Sequence, residues 1–262
     1  MSILIAAIIG LAAGTHTSTW GMYKDAAHEG FAWRKYLRSI LISGIIAPVL
    51  NTLGVSVTSV GEWLLLFGVT YVLERAVSEF HKTFLRIEDQ SKYFIPMQLA
   101  VRGRVVQSRR ARAMAGVAVA IVAVLLAVLV TSMQSQGRPD VSRFVIAGSL
   151  AGLFCACGGA WKDAPIEGFE TFKFFRSPAI AAAFSVLLSA FTDVLLLAAL
   201  AGLGFSIATL ETYKTFFFPS KPRGKFAGKA IRYPEMLTRR QWFVPVYVSI
   251  CVLLIAGFFV GA

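Results

Sequence analysis

Charge is scarce in this chain, and acid is scarcest of all. Asp and Glu number 14 against 26 Lys and Arg, and charged residues make up only 15% of the whole. A soluble domain ordinarily carries about 25%. That deficit, with 56% hydrophobic residues and a mean hydropathy of +0.68, argues for a membrane protein. Cysteine is rare too: Cys155, Cys157 and Cys251 are too few and too apolar in setting for a disulfide framework. Also missing are a Walker A loop, a His-Glu-x-x-His zinc motif, a nucleophile elbow and a dinucleotide fingerprint. Met1 to Gly14 has no basic segment of the kind that opens a signal peptide, so it is expected to stay as a span.

What is present is said twice. Tyr23-Lys24-Asp25-Ala26-Ala27-His28-Glu29-Gly30-Phe31, followed by Lys35 and Arg38, returns as Trp161-Lys162-Asp163-Ala164-Pro165-Ile166-Glu167-Gly168-Phe169, followed by Lys173 and Arg176. A second echo pairs Glu79-Phe80-His81-Lys82-Thr83-Phe84 with Glu211-Thr212-Tyr213-Lys214-Thr215-Phe216. Two phrases in one order imply an internal duplication, with a first repeat over 1–137 and a second over 138–262. The join falls in the polar stretch Gln134-Ser135-Gln136-Gly137-Arg138-Pro139.

Apolar runs then set the expected fold. Ala113 to Gly137 and Gln241 to Ala262 are each long enough to cross a ~30 Å hydrocarbon layer. Ser2 to Tyr23 and Phe144 to Trp161 each make one more span. Ser39 to Leu73 and Ser177 to Leu210 are too long for one crossing, and each holds a single central acid, Glu62 or Asp193. Two helices joined by a turn at that acid fit both stretches. Ser177-Pro178 reads as a helix start, and Pro48 as a kink.

The expectation is therefore an all-α polytopic membrane protein of about eight transmembrane helices. They form two four-helix repeats in parallel orientation about a pseudo-two-fold axis along the membrane normal. In that arrangement one face gathers 24 of the 26 Lys and Arg. The positive-inside rule makes it cytoplasmic, with both termini outside and anionic lipid headgroups as partners. The net charge of +12 is thereby read as topology, and nucleic acid is not an expected partner.

Asp25 and Glu29 stand four apart, as do Asp163 and Glu167, which puts each carboxylate pair on one side of a helix. Hard oxygen ligands of this kind suit a divalent metal. The flanking Lys24, Lys35, Arg38, Lys162, Lys173 and Arg176 suit phosphate or carboxylate. Glu79, Lys82, Glu211 and Lys214 are secondary candidates, whose three-apart spacing equally makes intrahelical ion pairs. A structural staple would preserve the same charges. His16 lies near Thr15, Thr17 and Thr19, and is expected to be packed or hydrogen-bonded. Gly14 and Gly152 occupy aligned positions and are expected to permit close helix approach.

Three functions fit these residues. One is a membrane transporter or channel for a small ion or anionic solute, gated by the duplicated cluster at its cytoplasmic mouth. Another is a membrane-embedded metal-dependent enzyme acting on a phosphorylated lipid or carrier. The last is a non-catalytic membrane scaffold.

Overall fold

A computed structural model describes residues 2–134, 136–218 and 224–261. Ser135, in the expected join, and Lys221 to Arg223, in the second basic run, lie outside the described residues. Helix α1 (Ser2–Glu29) ends where Gly30 takes φ +74° and turns the chain back into α2 (Trp33–Thr52). A capping box starts α3 (Val60–Phe80): Ser59 accepts the Glu62 N–H while Glu62 accepts the Ser59 N–H. A π-turn over His81–Leu85 follows, then a minimal hairpin of β1 (Ala100–Val101) and β2 (Arg104–Val105). Ser108 caps α4 (Arg109–Ser132), and Asp140 caps α5 (Val141–Glu167). The chain continues through α6 (Thr171–Leu188), α7 (Leu195–Phe216), the short α8 (Met236–Arg239) and α9 (Val244–Gly261).

Small residues set how closely these helices approach. A Cβ on Gly14 would sit 2.5 Å from the Ile40 Cα of α2, and one on Gly152 would sit 2.5 Å from the Pro178 Cα of α6. Both glycines thus do what their aligned positions suggested. At the centre α3 crosses α7 so tightly that a Cβ on Gly204 would fall 2.0 Å from the Gly68 carbonyl oxygen. Around that crossing Leu65, Phe67, Val69 and Tyr71 pack on Leu188, Ala201, Phe205 and Ala208. The expected helix start at Ser177-Pro178 is wrong. Helix α6 begins at Thr171, and Pro178 lies inside it.

The expected polytopic membrane bundle is corrected by what fills the interior. Among the described residues six helices are long and apolar enough to cross a membrane by length and composition, but α2 and α3 are not among them, so eight crossings do not stand. Running through the helices is a polar network. His16 Nδ1 and the Trp20 indole N–H both meet the Tyr71 hydroxyl, at 3.1 and 2.8 Å. Tyr36 holds Thr19, and Tyr247 holds Thr212. Beside it, Arg75 pairs with Glu74 and Glu79 within α3, Glu79 with Lys82 on the π-turn, Glu211 with Lys214 within α7, and Lys24 of α1 with Glu211 of α7; Glu74 is fully buried. Each charge placed in a lipid-packed interior costs about 2.5–3.5 kcal/mol on insertion scales, and a bundle assembled for lipid has few of them.

With this interior the dependent expectations fall as well. These are the transporter or channel, the membrane enzyme, the membrane scaffold, the anionic lipid partner, and the placement with basic loops cytoplasmic and both termini outside. What stands is an all-α bundle with an extensively ion-paired and hydrogen-bonded core.

Candidate functional site

The first repeated motif closes on a lysine that the sequence reading did not single out. Lys225 Nζ lies 2.9 Å from Asp25 Oδ2 and 2.6 Å from Glu29 Oε1, and Lys35 Nζ reaches the other Glu29 oxygen at 2.6 Å. Four-apart spacing on α1 aims both carboxylates at one point, as expected. The cation that occupies it comes from a short 3₁₀ turn nearly two hundred residues later. All three side chains are mostly buried, at 17%, 22% and 14% exposure for Lys225, Asp25 and Glu29.

Electrostatics follow from this geometry. Burial alone would raise the Glu29 carboxyl, but Lys225 and Lys35 overcome it and hold the group at about 2. Lys225 is desolvated, yet its two carboxylates push it above the ordinary lysine value. Lys82, on the π-turn, is pulled down to about 8 by burial despite Glu79 beside it.

Most of the other sequence candidates are also paired with one another or with a neighbour. Lys24 reaches Glu211 at 3.3 Å, and Glu211 holds Lys214 at 3.3 Å. Glu79 binds Lys82 at 2.9 Å and pairs with Arg75. Lys24 and Arg75 both lie over the Trp20 ring, at 4.8 and 5.2 Å. In the second motif Lys173 bridges Glu167 at 2.8 Å and Asp163 at 3.8 Å, while Lys162 Nζ rests on Met97 Sδ at 3.3 Å. Arg38 and Arg176 make no ion pair among the described residues. Nor, among those residues, do three or more His, Cys, Asp or Glu side chains gather as a metal would require. Glu62 and Asp193 stay apart from these clusters. Glu62 takes four hydrogen bonds from Ser56, Thr58 and Ser59, and Asp193 faces Arg138 at 3.5 Å.

Beside the Lys225 staple lies a cavity of about 360 Å³, lined by His28, Glu29, Lys35, Lys92, Phe226, Lys229, Ala230, Arg232 and Tyr233. Its roof is the segment after Lys225. Phe226 stacks on His28 at 4.7 Å, the Ala230 carbonyl meets His28 Nδ1, and the Arg232 and Tyr233 N–H groups donate to the Ala27 carbonyl. Its floor is the end of α1, and its flank is the loop carrying Lys92, which pairs with Glu88. Four cationic residues therefore line it beside one carboxylate, Glu29, which is already shared by Lys225 and Lys35. Arg232 has no ion partner among the described residues.

Of this lining, sequence reasoning made candidates of Glu29 and Lys35 and quoted His28 as part of the motif. Lys92, Lys229 and Arg232 sat in basic stretches read as lipid-facing. The signal that sets them apart is the interleaving of Tyr93, Phe226 and Tyr233 with the cations, which places those side chains under a packed roof. No protein-family model, curated protein or solved structure matches this chain.

Proposed function

We propose that this protein binds a small phosphate-bearing compound in the cavity beside the Lys225 staple. The observation that carries the reading is that Lys229 and Arg232 line the cavity with no ion pair among the described residues, beside Lys35 and Lys92, which are held by Glu29 and Glu88. Lysines supply point charges and arginine a planar fork, the pair of recognition modes that phosphate oxygens favour. The volume of about 360 Å³ falls in the range of small-molecule sites, about 300–1,000 Å³. Phe226 and Tyr233 give the ligand an apolar wall. Binding requires no metal, since the protein's own cations neutralise the anion.

Calorimetric titration with inorganic pyrophosphate tests this, beside the double variant K229A/R232A. Neither residue touches the staple, so helix content stays the same. The native protein binds with a Kd of about 1 mM or tighter, and affinity falls with added salt as screening grows. The variant binds at least about tenfold more weakly, the loss of about 1.4 kcal/mol expected from removing charge-assisted hydrogen bonds. Equal binding by both proteins, or no heat from the native one, refutes the proposal.

A further inference from the structure

The two repeated motifs are closed to different degrees. Over the first, Lys225 joins Asp25 to Glu29, the Tyr233 ring covers Gly30 (3.3 Å from a Cβ placed there), and Phe243 packs on Phe31 at 5.5 Å. Over the second, Gly168 has nothing within 4 Å of such a Cβ, and Phe169 is 62% exposed. Among the described residues, Asp163 and Glu167 have only Lys173 as an ion-pair partner.

A counterpart of the missing clasp lies nearby. Arg223-Gly224-Lys225 in the later connector is echoed by Arg102-Gly103-Arg104 in the earlier one. Gly224 and Gly103 share a left-handed backbone, at φ +70° and +77°, a conformation that favours glycine. The earlier segment already leans on α5: the Trp161 indole N–H donates to the Ala100 carbonyl at 2.9 Å, and a Cβ on Gly103 would lie 3.9 Å from both Pro165 and Ile166. Arg104 itself is exposed, with no ion partner among the described residues.

We infer that the β1–β2 hairpin is a latch for the second motif, in which Arg104 closes on Asp163 and Glu167 as Lys225 closes on Asp25 and Glu29. A guanidinium fork can donate to two carboxylates at once. The base of the hairpin is anchored by the Leu99 N–H on the Thr83 carbonyl and by Trp161 on Ala100, while Val101, Arg102 and Arg104 at its tip are exposed, so closing moves only the tip of a two-pair ladder. Burial raises the Asp163 carboxyl in the open form, and a second cation would offset that. Closing the latch would cover Gly168 and the aromatic residues beside it.

Zero-length cross-linking tests the latch. A carbodiimide condenses an amine with a touching carboxylate, so R104K carries the reactive amine on the hairpin while keeping its charge. The native contact of Lys225 with Asp25 and Glu29 cross-links in the same sample and serves as the reference. Peptide mass spectrometry of R104K is expected to show the hairpin joined to the peptide spanning Asp163 and Glu167, and R104K/D163N/E167Q to show no such link. A reference link without a hairpin link in R104K overturns the inference. With the native arginine, D163N/E167Q is expected to speed amide exchange across Val101–Val105; unchanged exchange there overturns it as well.

Discussion

Replacing Lys225 by Met removes the one cation that Asp25 and Glu29 share while keeping most of the aliphatic stem. Asp25 Oδ1 already has no hydrogen-bond partner among the described residues, so the variant leaves that carboxylate buried and almost alone. Glu29 keeps Lys35 at 2.6 Å. Removing one member of a buried pair costs about 3–5 kcal/mol. The residues here keep some solvent access and Glu29 keeps one partner, so the expected loss is about 2–3 kcal/mol, read as a lower midpoint in urea at constant slope.

The pH dependence identifies the cause. A Glu29 carboxyl held at about 2, against its ordinary 4.5, stabilises the folded state above the unfolded value. That contribution fades as pH falls from 4.5 towards 2. The shift corresponds to about 3 kcal/mol, divided between Lys225 and Lys35. The gap between native protein and K225M therefore shrinks by more than half between about pH 7 and about pH 2.5. A loss below about 0.5 kcal/mol, as for an exposed pair, refutes the reasoning. So does a gap that stays constant across that pH range.

Three further substitutions test the frame that holds the staple. Gly14→Ala places a methyl 2.5 Å from the Ile40 Cα and forces α1 away from α2, at a cost of about 1–3 kcal/mol. Gly21→Ala, seven residues on with nothing within 4 Å, is neutral or gains up to about 1 kcal/mol; similar denaturation midpoints for the two would contradict the packing argument. Ser59→Ala removes the side chain that accepts from Glu62 at the start of α3, lowering stability by about 1 kcal/mol in chemical denaturation. A shift within error would show that the capping box contributes nothing.

Helical class and several turns are readable from residue order. The chain turns between α2 and α3, and between α6 and α7, beside the single acids Glu62 and Asp193, because an apolar run longer than one helix must turn where its polar residue sits. The intrahelical pairs Glu79–Lys82 and Glu211–Lys214 follow from three-apart spacing alone. Pro178 misled because Ser-Pro is a good helix start in isolation, yet α6 already has about two turns formed by then. The larger misreading was of the interior. Hydropathy adds residues one at a time and cannot register that His16, Trp20 and Tyr71 share one hydroxyl, or that Lys24 meets Glu211 across 187 positions. Lys225 escaped for the same reason: its partners are in α1, and in the sequence it stands among other cations.

Those separations also show what holds the end of α1 in place. Glu29 meets Lys225 across 196 positions, and the Arg240 guanidinium donates to the Tyr23 carbonyl across 217 while stacking on the Tyr23 ring at 4.2 Å. The last two turns of α1 are thus held by a segment that follows α7 in the chain. Apolar contacts would bury comparable area there, but Val, Leu and Phe are interchangeable in volume and abundant along this chain, so they give α1 many near-equivalent registers against its neighbours. A lysine that must satisfy Asp25 and Glu29 together accepts one register, because sliding α1 by a single residue rotates both carboxylates away by about 100°. The buried charge is unfavourable in isolation and is tolerated for the alignment it enforces. The cavity inherits that alignment: Glu29 and His28 form its floor only when α1 is seated in the register Lys225 selects.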